Sequence, residues 1–249
     1  MPFSRSGGAR GDGGKPRLPE TGTQAAIYTK SNSARHLHGK PPRNGWGGSR
    51  NRADRCSEGL TAKQADGIVT AAQTAWRRGV PFNCHVTIHW AKLGLADDAT
   101  AAATGAFLTC ARDWLRKQGL AFAYAYSREN SGDNGAHTHI LAHLPPRAPW
   151  SFRRSKRWLE RISGEPYFTG GIRTHRIRGT VGGRVVLPDL YAENLAVVVG
   201  YLTKGAPQAV LDTLRINRAH QPGGRVVGKR AGWSENIGTA AHRVPVSHR

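Results

Sequence analysis

The chain has 249 residues, and its 37 Lys and Arg against 16 Asp and Glu give a formal net charge of +21 at pH 7. This length suits one domain with a sizeable core and is short for two. The charge predicts a polyanionic partner, because phosphate backbones bind basic surfaces by releasing counterions. A purely solubilising charge is the alternative.

The three cysteines form no Cys-x-x-Cys pair and no even disulfide framework, which argues against a cysteine-built zinc site. The sequence has no apolar run long enough to cross a membrane, and its start lacks the apolar stretch of a signal peptide. We therefore expect a cytoplasmic protein with no membrane partner.

The first half of the chain predicts an arm followed by alternating helix and strand. Residues 1–58 are rich in Gly, Ser, Pro, Arg and Asn and poor in apolar residues, which predicts a disordered basic arm. A helix is predicted over residues 61–78 and a strand over 82–90. Asp97 or Asp98 then caps a second predicted helix that runs to Gln118.

The second half predicts two hairpins and two helices. Residues 120–129 and 136–144 alternate around a Gly/Asn/Asp cluster, which is typical of a β-hairpin. A very basic helix over 151–162, a second hairpin over 167–186 and a last helix over 188–204 follow. The whole pattern predicts an α+β fold with a central antiparallel sheet and helices packed on it. We place this domain at 59–210 and a basic C-terminal tail at 211–249.

Two histidines two residues apart on a predicted strand indicate a metal site. His137 and His139 project from the same face, and pairing Glu129 with His137 puts the carboxylate on that face too. One carboxylate and two neutral imidazoles suit a divalent ion, Mn²⁺ or Mg²⁺, with open positions for a phosphate. Surface or core histidines are the alternative. His143 is a spare candidate on the same face.

The last predicted helix carries a candidate nucleophile. Tyr201 and Lys204 are three residues apart and so point in the same direction. A metal-bound phosphate and a neighbouring ammonium would favour the phenolate over the phenol, which permits covalent catalysis. The alternative is a tyrosine at the edge of the core with a lysine extended to solvent.

These motifs, in this order, resemble those of the HUH endonucleases, the superfamily of rolling-circle replication initiators, relaxases and single-strand transposases. The matching segments are Val86-Thr87-Ile88, His137-Thr138-His139 and Tyr201-Leu202-Thr203-Lys204, with Glu129 in the place of the third ligand. The resemblance covers about residues 80 to 205. It implies that 59–210 is an HUH nuclease domain of the single-tyrosine initiator type, with an HUH/Rep-like fold.

The resemblance also implies a reaction. A metal-dependent enzyme nicks single-stranded or hairpin DNA at an origin through a 5′-phosphotyrosine, and the free 3′-OH primes rolling-circle replication. Thr138 departs from the family pattern, in which a bulky apolar residue separates the histidines. No second tyrosine lies within a turn of Tyr201, so rejoining would need a second protomer, as in a homodimer, or another nucleophile.

The expected DNA contacts come from Thr87 and the basic helix. Aromatic residues beside that helix's cations could stack on unpaired bases, with core packing as the alternative. The cations are Arg153, Arg154, Lys156 and Arg157, and the aromatics are Trp90, Trp150, Phe152 and Trp158.

Two further functions compete with an initiator. The same motifs fit a single-strand transposase or a mobilisation relaxase, although the small size favours an initiator that relies on a host helicase. A non-catalytic nucleic-acid-binding protein, in which the histidines merely pack, is the alternative from another class.

Overall fold

The computed structural model describes residues 55–146, 148 and 150–238, without the side chains of residues 133 and 152. The predicted arm at 1–58 lies outside the described residues except for 55–58, and so do residues 239–249 of the predicted tail. The helices are α1 (Ala62–Arg77), α2 (Thr100–Arg116), α3 (Phe152–Ser163), α4 (Pro188–Thr203) and α5 (Gln208–Thr213). The strands are β1 (Cys56–Ser57), β2 (Cys84–His89), β3 (Ala123–Ser131), β4 (Gly135–His143), β5 (Ile172–Arg176), β6 (Thr180–Val181), β7 (Arg184–Val185), β8 (Val226–Val227) and β9 (Ala231–Trp233).

The predicted α+β class is confirmed by a five-stranded antiparallel sheet with helices on both faces. The strand order is β5-β2-β4-β3-β9. Thr61 caps α1 in a capping box with Gln64, and Pro188 opens α4, so local sequence fixes where these helices begin. The four long helices begin and end within a few residues of the predicted positions.

The two faces of the sheet carry different cores because side chains alternate along each strand. Odd-numbered residues of β3 and β4, such as Ala125 and Leu141, pack with α1 and α4. Even-numbered residues, such as Tyr126 and Ile140, pack with α2 and α3. A side chain's parity on these strands therefore decides which helical layer it meets.

The prediction of one hairpin over residues 167–186 was wrong. β5 pairs with β2 across the sheet, and only β6 and β7 form a small hairpin, around Gly182 and Gly183. The turn signal at Gly182-Gly183 was local and correct, whereas the pairing of β5 depends on a strand far away in sequence.

The predicted boundary at residue 210 does not coincide with the end of the packed structure. Leu211, Ile216 and Ala231 belong to the core beneath α1 and α4, and β9 forms an edge of the main sheet. The segment is polar and Gly-rich, which made it resemble a tail. Its backbone is held instead by strand pairing and by the buried guanidinium of Arg230, whose Nε donates to Ser57 at 2.8 Å.

Candidate metal centre and tyrosine

The β3–β4 hairpin brings a carboxylate and two imidazoles together in the interior. The predicted pairing of Glu129 with His137 is confirmed, and His139 follows on the same face. All three residues are buried, and their ligand atoms lie within 4.8 Å of one another. Glu129 Oε2 is 3.3 Å from Nε2 of His137 and 3.8 Å from Nε2 of His139. Ligands bound to one ion at about 2.1 Å are separated by such distances, so the group can hold a metal ion.

Unsatisfied atoms in this group also fit a metal. Among the described residues, Oε1 of Glu129 and Nε2 of His139 are buried without a hydrogen-bond partner. His137 donates from Nδ1 to the Gly135 carbonyl at 2.8 Å, which in a neutral ring leaves the Nε2 lone pair directed at the carboxylate. In that state two acceptors face each other, which a proton or a bound cation between them would relieve, and the Lys204 ammonium already contacts the same carboxylate oxygen.

The protonation states favour ligation. Burial lowers the pKa of His139 well below its usual value, and the charges of His137 and Lys204 lower it further, so the imidazole is neutral at neutral pH. For Glu129, burial raises the pKa, but hydrogen bonding from His137 and the charge of Lys204 outweigh burial and leave the pKa below its usual value. The site therefore presents a carboxylate and a neutral imidazole.

Thr87 lies beneath the site rather than on a surface open to DNA. It is buried opposite His139 in the pairing of β2 with β4, and its Oγ1 is 3.0 Å from Nδ1 of His139. With Nδ1 donating to the hydroxyl, Nε2 of His139 keeps its lone pair for a metal. The predicted DNA contact of Thr87 is thus replaced by an orienting contact to a candidate ligand.

The end of α4 places the predicted tyrosine and lysine at this group. The ring of Tyr201 contacts that of His139, with centroids 4.7 Å apart, and Nζ of Lys204 lies 4.2 Å from the Tyr201 centroid. Lys204 also forms a buried ion pair with Glu129. Burial and the Glu129 carboxylate raise the pKa of Tyr201, and Arg218 acts in the opposite direction. Burial lowers the pKa of Lys204 despite its carboxylate partner.

Sequence reasoning missed two more histidines on the same face. His85 and His89 flank Thr87 on β2, and their rings lie 5.7 Å from His139 and 5.6 Å from His137. Burial lowers the pKa of each to about 4, with neighbouring cations adding to the effect. The alternation of His85, Thr87 and His89 was visible in the sequence, but the pairing of β2 with β4 was not.

His143 and Thr138 have structural partners away from the site. His143 donates from Nδ1 to the Pro81 carbonyl at 2.8 Å and is not part of the metal-binding group. Thr138 faces the other layer, where its hydroxyl accepts from Trp90 Nε1 at 2.8 Å and lies 2.9 Å from Thr104 Oγ1. These hydrogen bonds explain why a polar residue stands between the two histidines.

The basic helix α3 lies in the layer opposite the metal centre. Its buried Leu159 and the ring of Trp158 pack with residues of α2, on the even-numbered face of the sheet. A surface cavity of about 530 Å³ is lined by Ser151, Arg153, Arg154, Arg157, Trp158 and Arg161. The structure does not bring these cations to Tyr201, so their DNA contacts stay a prediction about a separate surface.

Among the aromatic residues predicted to stack on bases, those whose side chains the structure describes pack in or against the core. Trp90 is fully buried, and Trp158 packs against Trp150 with ring centroids 5.5 Å apart. Lys156 pairs with Glu160 at 3.8 Å on the outside of α3.

Comparisons with protein-family models, curated proteins and solved structures give no match. No helix among the described residues is long and apolar enough to span a membrane.

Proposed function

We propose that the chain is a metal-dependent endonuclease that cuts single-stranded DNA with Tyr201 and remains attached to the 5′ phosphate. The observation that carries the proposal is the contact of the Tyr201 ring with His139, inside a buried group able to hold a metal ion. A tyrosine packed for stability alone would not need two candidate ligands with unsatisfied buried atoms beside it.

Glu129, His137 and His139 would hold a divalent ion. The sequence resemblance implies Mn²⁺ or Mg²⁺, which suit the carboxylate, while the two imidazoles also suit Zn²⁺. When bound, the ion would act as a Lewis acid towards the scissile phosphate. The Tyr201 oxygen forms a bond to phosphorus while the bond from phosphorus to the 3′ oxygen breaks. The phenol loses one proton and the departing 3′ oxygen gains one, so the step is balanced and reversible.

The other tyrosines that the structure describes support Tyr201 as the nucleophile, and Tyr167 packs against the core under α2 and α3. Tyr124 and Tyr126 belong to the core under α2 and α3, on the other face of the sheet. Tyr191 is buried in the core under α1 and α4, and burial raises its pKa. With one tyrosine at the site among the described residues, rejoining of the strand requires a second protomer or another nucleophile.

The sequence resemblance supports a replication origin as the substrate of this chemistry. A transposase or a relaxase would use the same residues, so the biological role is decided by the DNA that is cut. A free 3′-OH on one side of the nick is the product that a polymerase extends, which suits initiation with a host helicase.

The test is a covalent adduct. Incubation with a labelled pool of random single-stranded oligonucleotides and Mn²⁺ should give a protein–DNA band that survives denaturing detergent, because counterion-release binding does not. Tyr201→Phe should eliminate the band, whereas Tyr124→Phe, on the other face of the sheet, should retain it. His139→Ala or excess chelator should eliminate it as well. A band that persists in Tyr201→Phe, or in chelator, would refute the proposal.

A further inference from the structure

Arg218 lies beside Tyr201, in the segment between α5 and β8, outside every motif that the sequence revealed. Its Cζ is 4.9 Å from the centroid of the Tyr201 ring. The side chain packs against Gly200, since a Cβ at that position would lie 3.6 Å from Arg218 Cδ, an ordinary van der Waals distance. The arginine is thus packed against the residue that precedes the candidate nucleophile.

The backbone around Arg218 is fixed to the end of α4. Arg218 donates its N–H to the Ile216 carbonyl at 2.8 Å, and Gln221 donates to the Lys204 carbonyl at 2.8 Å. His220 donates from Nδ1 to the Ala206 carbonyl at 2.8 Å. The segment that carries the guanidinium is therefore held in a defined position relative to Tyr201.

The two cations at the Tyr201 ring differ in their electrostatic partners. Lys204 is neutralised by its ion pair with Glu129. Arg218 forms no ion pair with any carboxylate in the part of the chain that the structure describes. Its Nε is buried and has no hydrogen-bond partner there. A buried donor on an unpaired cation is costly unless a ligand satisfies it.

We propose that Arg218 binds the scissile phosphate and positions it for attack by Tyr201. A guanidinium presents parallel N–H donors that match two oxygens of a phosphodiester, with a fixed geometry that an ammonium lacks. The guanidinium lies 4.9 Å from the Tyr201 ring, and a phosphate attacked by Tyr201 must lie next to that ring, within reach of the guanidinium. This role rests on the proposed nuclease function and adds a phosphate-binding residue to it.

A purely structural role for Arg218 would have a different signature. Stacking of the guanidinium on the Tyr201 ring would stabilise the end of α4 whatever the charge of the ligand. Phosphate binding instead depends on the negative charge that the phosphodiester group of the ligand carries. The probe should therefore carry one phosphodiester, and its control should be the same molecule with a neutral methylphosphonate.

The experiment titrates the thymidine dinucleotide TpT and its methylphosphonate analogue into the full chain in EDTA, where the metal makes no contribution. The dissociation constant is obtained by NMR from the shifts of the ³¹P signal of the probe and of the Nε–Hε signals of the arginines. We expect Arg218→Gln to weaken TpT binding about tenfold and to leave binding of the neutral analogue unchanged. Arg218→Lys should restore part of the loss. Arg215→Gln, an exposed arginine of the same segment, is the matched control and should change TpT binding less than about twofold.

Three results would overturn the assignment: equal TpT binding by the wild type and Arg218→Gln, an equal loss for both probes, or no TpT binding by the wild type at millimolar concentration. The nuclease proposal is judged separately by the Tyr201 adduct. A charge-dependent loss without any adduct would leave Arg218 as an anion-binding residue and remove only the catalytic interpretation.

Discussion

Replacing Lys204 by methionine tests whether the lysine substitutes for a metal ion in the metal-free protein. Lys204 and Glu129 are 6% and 4% exposed and form an ion pair. Lys204→Met keeps the aliphatic length but leaves the carboxylate without its cation. Removing one partner of a buried pair lowers the free energy of unfolding by about 3–5 kcal/mol. We expect the lower end of this range, because His137 can share a proton with Glu129.

A cost of about 3 kcal/mol lowers the Tm of a domain of this size by roughly 6–12 °C. A bound divalent ion would supply the missing positive charge, and it would no longer compete with the lysine for Glu129. The rise in Tm on adding metal should therefore be larger in Lys204→Met than in the wild type. Adduct formation should nevertheless slow, because an ammonium beside Tyr201 is lost.

Thermal unfolding in EDTA and in saturating Mn²⁺ measures both effects. Lys156→Met is the matched control, since Lys156 pairs with Glu160 at 3.8 Å on the surface and such a pair contributes only about 0.3–0.5 kcal/mol. Its Tm should hardly change in either condition. If Lys204→Met were as stable as the wild type in EDTA, or gained no more from Mn²⁺, the competition between lysine and metal would be disproved.

Three further results are expected from single measurements. In EDTA, the free energy of unfolding measured with urea should fall as the pH drops from 6.5 towards 4. The pKa values of His85 and His89 are lowered in the folded protein, so in this range the unfolded chain binds protons that the folded chain does not. A flat profile would contradict their burial as neutral rings. Thr138→Val should lower the free energy of unfolding by about 1–3 kcal/mol, because a buried indole N–H loses its acceptor; a neutral result in calorimetry would count against this network. The double variant Arg153→Gln with Arg157→Gln should weaken the salt dependence of single-stranded DNA binding. The slope of log K against log salt concentration should decrease by about 0.7 for each lost phosphate contact, while adduct formation on a short oligonucleotide is unchanged. Loss of the adduct would place α3 at the nick site.

The candidate metal-binding group was predictable because it lies within one hairpin. The turn between β3 and β4 fixes which residues are opposite, so pairing Glu129 with His137 required only local sequence. The position of Tyr201 relative to His139 was not predictable from spacing, since α4 is brought there by packing on the odd-numbered face. The family resemblance supplied that link, and the contact between their rings agrees with it.

The residues that were missed depend on contacts distant in sequence. His85 and His89 join the site because β2 pairs with β4, and Arg218 joins it because the segment after α5 folds back on α4. The basic helix was predicted to contact DNA, but its charge does not reveal which face of the sheet it covers. The two helical layers are distinguished only by whether odd-numbered or even-numbered residues of β3 and β4 belong to each core.

The segment that closes over Glu129 has a consequence for the order in which the candidate metal-binding group is completed during synthesis. Asn130 donates its backbone N–H to the Gly223 carbonyl at 2.7 Å, and a Cβ on Gly224 would lie 1.7 Å from the Asn130 carbonyl. Residues leave the ribosome in chain order, so the hairpin and the tyrosine emerge before the segment that covers the carboxylate. A nascent chain that ended before Gly223 would present Glu129 to water with every motif residue already made. The candidate metal-binding group is therefore covered only after its motif residues have been made, by a segment that carries no motif.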